Sequence, residues 1–287
     1  METWPNFFIV GAGKAGTSSL WFYLNQIPQV FMSPHKEPHF FSPTYLAPEK
    51  VHTFLNKNDY LNLFQDVRNE KAIGEASINY LLDPTSPKLI YEKVPHAKII
   101  IIIRDPIERS YSNYFDWFRG KIIKDSFHKT IHDITNGKAK KQLLPVLYSS
   151  FYSKGIKNYQ DTFGNHQVKI IIFEEYIKNM KLHLNDIIKF LDIDYNIQVL
   201  EEEVQNPFFL PRSNIAGKIV FSKHLEKIVK KSLPESYRKK ISEKFFVKKV
   251  KPMMDEQDRL FLKSYFRKDV LDVEKLLNRK LPWKNFQ

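Results

Sequence analysis

The sequence predicts an α/β chain built on a parallel sheet, and two stretches predict it. The first is Phe7 to Ser19, FFIVGAGKAGTSS, where four apolar residues of strand length run into glycines and then hydroxyl residues. Leu20 to Gln26 continue as a helix, so the order is strand, glycine-rich loop, helix. The second is Lys98 to Arg104, KIIIIIR. Five consecutive isoleucines predict a strand buried on both faces, as central strands of parallel sheets are.

A strand, a glycine-rich loop and a helix together make a phosphate cradle. Gly11, Gly13 and Gly16 let the backbone approach an anion, and the helix N-terminus adds partial positive charge. Thr17 and Ser18 add hydroxyl donors, and Lys14 adds a full charge. A Walker A loop reads G-x-x-x-x-G-K-[ST]. Gly11 and Gly16 have that spacing, but Thr17 stands where the lysine belongs, and the loop's lysine is Lys14. The spelling G-x-x-K-x-G-T-[ST] resembles the sulfotransferase family, whose donor is 3′-phosphoadenosine 5′-phosphosulfate (PAPS). A polyanion-binding module using residues 218–251 is the non-enzyme rival, and it leaves Lys14, Glu37 and Arg104 unexplained; a P-loop kinase or nucleotidase is the enzyme rival. It needs a lysine at position 17 and a magnesium aspartate closing a strand, where Arg104 precedes Asp105 instead.

The first helix ends before Pro28, and Val30 to Met32 predict a short strand. Lys36-Glu37-Pro38-His39-Phe40-Phe41 then sets a carboxylate and an imidazole among prolines and aromatics. A carboxylate beside aromatic surface has a raised pKa, which suits a general base; the bland alternative is a surface loop with an incidental glutamate. The KEPHFF spelling resembles the corresponding loop of glycan O-sulfotransferases and their bacterial relatives. That resemblance implies that Glu37 is the catalytic base, with His39 next in line.

A helical stretch follows around Asp59 to Asp66, and Ala72 to Tyr80, AIGEASINY, starts as a strand and becomes a loop. It resembles the family's G-E-x-[ST]-P-x-Y segment beside the acceptor. Ile78 stands where proline is usual, and Ala76 where several heparan-type enzymes carry an acceptor-binding lysine, so no heparan substrate is inferred.

The isoleucine strand ends in Arg104-Asp105-Pro106, and Pro106 suits the first turn of the next helix. Ligands of open α/β sheets sit at the carboxyl ends of strands, where Arg104 and Ser112 can converge on one phosphate. R-D-P-x-x-R-x-x-S resembles the second sulfotransferase signature, which implies that Arg104 and Ser112 bind the 3′-phosphate of PAPS. Arg109 reads as the arginine of a structural ion pair. Trp117, Phe118 and Arg119 read equally as helix core or as a stacking surface for a sugar. Residues 121–147, polar and lysine-rich, read as a helical insertion or lid.

Tyr152 to Phe163 predict a helix, Val168 to Phe173 a buried strand, and Leu182 to Leu191 an amphipathic helix. In many members of the family a late basic loop closes over the nucleotide. Here NPFFLPRSN, residues 206–214, offers Arg212 for that role, with a surface arginine as the alternative. Residues 218–251 hold twelve Lys and Arg against three Glu. They read as solvated helix faces, or as a docking surface for an acidic glycan or a lipid headgroup. Asp255 caps a last helix running to about Asn278, with Leu262, Phe266, Leu276 and Leu277 on its apolar side.

A net charge of +13 on 287 residues calls for anionic partners. No recognition motif for nucleic acid accompanies the charge. With no cysteine, disulfides, thiolate catalysis and cysteine-held zinc are excluded, and a reducing, cytoplasmic location is expected. METWPN leads straight into the first strand, so neither a signal peptide nor a membrane anchor is expected; peripheral membrane association stays open.

The resemblance runs from residue 7 to about residue 283. It implies one three-layer, P-loop-like α/β domain over residues 1–287 with a central parallel five-stranded sheet. Strands are expected near residues 7–10, 30–32, 71–74, 98–103 and 168–173. It further implies sulfuryl transfer from PAPS to a hydroxyl or amine, of a carbohydrate first and of a small alcohol or phenol second. Lys14 would neutralise the bridging oxygen, while Gly13, Ala15, Gly16, Thr17 and Ser18 hold the 5′-phosphate. Cationic side chains stand in for a metal in that scheme.

Overall fold

The computed structural model describes residues 2–43, 56–195, 197, 210–211, 247–248 and 251–287. Among the described residues, Leu210–Pro211 and Val247–Lys248 form a small antiparallel pair, and five longer strands are β1 (Phe7–Gly11), β2 (Val30–Met32), β3 (Ala72–Ala76), β4 (Lys98–Ile103) and β5 (Val168–Ile172). They make one sheet in the order β2-β3-β1-β4-β5, and every pairing is parallel. The expected α/β class and five-stranded parallel sheet are therefore what the chain adopts. All of β1 is buried, and Ile99 to Ile103 of β4 are wholly inaccessible. Burial of that run is what five isoleucines supply. Phe7 lies opposite Gly74, and a Cβ on Gly74 would come within 2.1 Å of the Phe7 ring. Only glycine fits there.

Helices surround the sheet: α1 (Thr17–Leu24), α2 (Lys57–Asn62), α3 (Ser86–Lys93), α4 (Pro106–Arg119), α5 (Phe127–Thr135), α6 (Pro145–Tyr148), α7 (Ser153–Phe163), α8 (Phe173–Lys178), α9 (Met180–Phe190) and α10 (Glu256–Leu277). Asp105 caps α4 by accepting from the N–H groups of Ile107 and Glu108, and Pro106 fills the first position. Asp255 caps α10 by accepting from Gln257 N–H at 2.8 Å, and Asn278 closes it at φ 50°.

Three expectations shift. Phe173 opens α8 rather than closing β5, because β5 ends at Ile172 and the chain turns at once. The buried side of α10 is Leu262, Phe266, Val270 and Val273, while Leu276 and Leu277 stay half exposed near its end. Within residues 121–147, Ile131, Ile134, Val146 and Leu147 are buried, so α5 and α6 share the core. Arg109 is wholly buried and plays the structural part expected of it, through neutral acceptors. It donates to the carbonyls of Pro145, Val146 and Gly13 and to Ser150 and Asn113. The segment around Ser150 is thereby tied to α4 and to the glycine loop.

No helix among the described residues is long and apolar enough to cross a membrane. Arg212 and nearly all of residues 218–251 lie outside the described residues.

Candidate active site

The glycine loop leaves the carboxyl end of the central strand and delivers its chain into α1. Gly16 is the N-cap at φ 99°, and no side chain caps the helix. A Cβ on Gly16 would approach the Phe173 ring to 2.9 Å, in a backbone conformation L side chains avoid. The first N–H groups of α1 are thus uncapped by side chains, and no acidic residue sits in the first turn. This is the arrangement that attracts an anion. Lys14 has φ 68°, and its Nζ lies 3.4 Å from Asp116 Oδ2 on α4. Burial lowers the Lys14 pKa; Asp116 opposes the shift, and the charges of Arg119 and Arg104 add to it.

Arg104 stands at the end of β4, next to β1. Its Nη1 donates to the Lys14 carbonyl at 3.1 Å, and its guanidinium lies 4.7 Å over the Phe173 ring. Among the described residues, its buried Nε has no hydrogen-bond partner. A buried donor left unpaired in a cationic corner marks a place for an oxygen-rich ligand. Glu108, Ser112 and Asp116 share one face of α4 at four-residue spacing. Asp116 meets Lys14, and Glu108 lies 3.4 Å from Lys251, which stacks 4.3 Å over Tyr111. Ser112 therefore lies on α4 between the positions facing the two lysines.

The loop bearing Glu37 is laid against the end of β3. Ser33 N–H donates to the Gly74 carbonyl at 2.8 Å and Glu37 N–H to the Ala76 carbonyl at 2.9 Å. Glu37 and His39 take φ of 65° and 54°. Two non-glycine residues in left-handed backbone within three positions are costly unless the surroundings hold them. The hold comes from His39 N–H on Ser77 Oγ at 3.1 Å and Phe41 N–H on the Tyr80 hydroxyl at 3.1 Å. Beneath them is a buried carboxylate, Glu75, which accepts from Tyr60 and Tyr80 at 2.8 Å each and from Ser77 at 2.6 Å. Burial raises its pKa, against the three hydrogen bonds.

Glu37 departs from the expectation of a raised pKa. Burial pushes it up, but the hydrogen bond from His39 and the charge and hydrogen bond of Lys36 outweigh it and bring it down to about 2. Lys36 Nζ sits 2.7 Å from Glu37 Oε1, and His39 Nε2 3.6 Å from Oε2. The aromatic residues around the loop pack on one another instead, with Phe40 stacked on Tyr60 at 4.3 Å. A carboxylate with a depressed pKa draws stability from its pair above the ordinary glutamate pKa and loses it as pH falls through about 2. Lys36→Met should raise the Glu37 pKa, read by carbon NMR of the side-chain carboxyl; an unmoved titration would leave His39 as the sole cause.

Gly13, Lys14, Ala15, Gly16, Thr17 and Ser18 lie together at the turn into α1, with Arg104 joined to them through the Lys14 carbonyl. Ser112 is on the adjacent helix. Asp116 and Lys251 were not singled out by the motifs, and the G-E-x-[ST] resemblance covered Glu75, Ser77 and Tyr80 without their distant partner Tyr60. The four-residue spacing of Glu108, Ser112 and Asp116 was a readable signal for one of them. Lys251 was hidden in a charge run.

A family profile described as "Sulfotransferase domain" matches residues 5–276. The chain is 29% identical to a crystal structure of a sulfotransferase from Alicyclobacillus acidocaldarius, with a TM-score of 0.74 over 97% of this chain and 98% of that one. It is 26% identical to the human "Bifunctional heparan sulfate N-deacetylase/N-sulfotransferase 3" over 96% of this chain and 30% of that protein. It is 23% identical to human "Carbohydrate sulfotransferase 15" over 66% of this chain and 44% of that protein. The chain thus spans less than half the length of these two curated relatives. A loop spelled with its lysine inside, a strand-end arginine bound to that loop and a profile match over residues 5–276 agree, and the chain belongs to the sulfotransferase domain family.

Proposed function

We propose that this protein transfers a sulfuryl group from PAPS to a hydroxyl or amine of a carbohydrate acceptor. The observation that carries the reading is Arg104, hydrogen-bonded to the Lys14 carbonyl, with a buried Nε that has no partner among the described residues, beside a helix N-terminus without a side-chain cap. The corner suits a ligand with two phosphate groups.

PAPS supplies an activated sulfuryl group on a phosphate leaving group. Gly13, Ala15, Gly16, Thr17 and Ser18 hold the 5′-phosphate through loop and helix N–H groups and hydroxyls. Arg104 and Ser112 hold the 3′-phosphate, with Lys251 adding charge on that side. Arg212, outside the described residues, keeps its proposed place in the same subsite. Lys14 exchanges Asp116 for the bridging oxygen, where charge develops as the bond to sulfur breaks. Glu37 takes the proton of the attacking hydroxyl, and His39 orients it. Nothing in the scheme requires a metal at the transfer site. The carbohydrate acceptor is supported by the names of the relatives and by the glutamate in KEPHFF; a small alcohol or phenol is the second reading. The absence of cysteine supports a reducing, cytoplasmic setting.

The donor assignment is tested on Arg104. A charge-assisted arginine–phosphate contact contributes roughly 1.5–3 kcal/mol. Arg104→Ala should weaken adenosine 3′,5′-bisphosphate by about tenfold or more and 5′-AMP hardly at all. Equal losses in calorimetry would place Arg104 elsewhere. Labelled PAPS offered to cell-envelope glycans and to phenols separates the two acceptor classes.

A further inference from the structure

Outside the transfer scheme, α5 and α10 bring three ligating side chains together. His128 and His132 are four residues apart on α5, so they share one helix face. Their ring centroids lie 4.4 Å apart. Facing them is Asp258 in the first turn of α10, whose side chain is only 4% exposed. His128 Nδ1 lies 2.6 Å from Asp258 Oδ1. One ligand atom from each of the three falls within 4.8 Å of the others, the one such group of His, Cys, Asp or Glu among the described residues.

We propose that His128, His132 and Asp258 bind a divalent transition-metal ion of the zinc class, which cross-links α5 to the first turn of α10. Two imidazoles and a carboxylate are a donor set that zinc accepts with its fourth position left to water. Metal–ligand bonds of about 2.0–2.2 Å place tetrahedral ligand atoms roughly 3.3–3.5 Å apart, inside the span seen here. The His128–Asp258 contact is shorter than that because a proton bridges it. The ion replaces that proton, and the two atoms separate by under about 1 Å, following the same bond lengths.

Two further features prepare the site. His132 packs on Phe261 with centroids 4.7 Å apart, and Phe261 follows Asp258 by three residues on the same face of α10. The ring is therefore steadied by the helix that carries the carboxylate. The His128 side chain is 61% exposed, which opens a path for the ion from solvent. The consequence reaches the donor side. The segment holding Lys251 runs directly into α10, and Tyr111 donates to the Met253 carbonyl at 3.2 Å. An ion at the start of α10 would hold that segment against α4.

The test uses the full chain, purified and stripped with a chelator. Titration with Zn2+ in a calorimeter should give one site per chain. His132→Phe, which keeps the ring on Phe261, should raise the Kd at least about tenfold, the low end of what losing even an outer-shell partner costs. His128→Ala should do the same, and His166→Ala, an exposed histidine elsewhere, should change nothing. Co2+ added to the unaltered chain should give the intense visible absorption of a four-coordinate site, abolished by excess Zn2+. That measurement stands even if a variant fails to fold. Weak Zn2+ binding that His128→Ala and His132→Phe leave unchanged, or a Co2+ spectrum of the free hexaaqua ion, would overturn the proposal and leave a helix-to-helix hydrogen bond.

Discussion

Glu37→Gln should lower kcat for the proposed sulfuryl transfer by at least about 10²-fold, the lower end of what a positioned base contributes. The hydroxyl that attacks sulfur must lose its proton as the new bond forms. Glutamine keeps the size of the side chain and its place in the loop, and removes the basicity. Donor affinity should stay within about twofold, since the proposed base does not touch the nucleotide phosphates. The loop survives the exchange because its anchors start from backbone N–H groups: Glu37 N–H donates to the Ala76 carbonyl and His39 N–H to Ser77 Oγ. A base held at about 2 is weak, because Lys36 and His39 stabilise its charge. Full basicity needs both partners drawn off: an acceptor that engages Lys36 removes one, and His39, the larger cause, must turn from the carboxyl as well. Single-turnover transfer with a parallel nucleotide titration checks the variant. Near-normal turnover would move the base to His39 and remove the main support for a glycan acceptor.

Lys14→Met has a different signature. Lys14 stands in the loop with its carbonyl held by Arg104, and its ammonium can trade Asp116 for the departing phosphate. Loss of one preorganised donor at a developing charge costs about 10²–10³ in kcat. Here the donor also meets the ground-state nucleotide, so affinity for adenosine 3′,5′-bisphosphate should fall by about tenfold or more, as for a charge-assisted hydrogen bond. The two variants together separate the roles: Glu37→Gln changes the rate alone, Lys14→Met the rate and the affinity. A Lys14→Met enzyme with unchanged donor affinity would show that the uncapped N-terminus of α1 holds the phosphates without the lysine.

The layers and the phosphate loop are legible along the chain. FFIVG and KIIIII are apolar throughout, and a strand with no polar face is stable only between neighbours and under helices. Gly16 in GKAGTSS is glycine because the turn into α1 takes a positive φ there. Asp105-Pro106 and Asp255 start helices by local chemistry alone, and both do so here. Such features depend on residues within a turn or two of each other, which is why they can be read along the chain.

Where charge ends up is set by folding. The Glu37 pKa follows from which groups surround the carboxyl after the loop folds back on β3, and Lys36 and His39 won over the phenylalanines. Lys14 meets Asp116 across a separation of about a hundred residues, and Arg104 leans on Phe173 from the neighbouring strand's end. Glu75 is one acid in a strand until two tyrosines from different segments close over it. His128 and His132 are an ordinary surface pair until α10 sets Asp258 against them. Electrostatic energies vary with distance and burial, and neither is written in the spacing of residues along a chain.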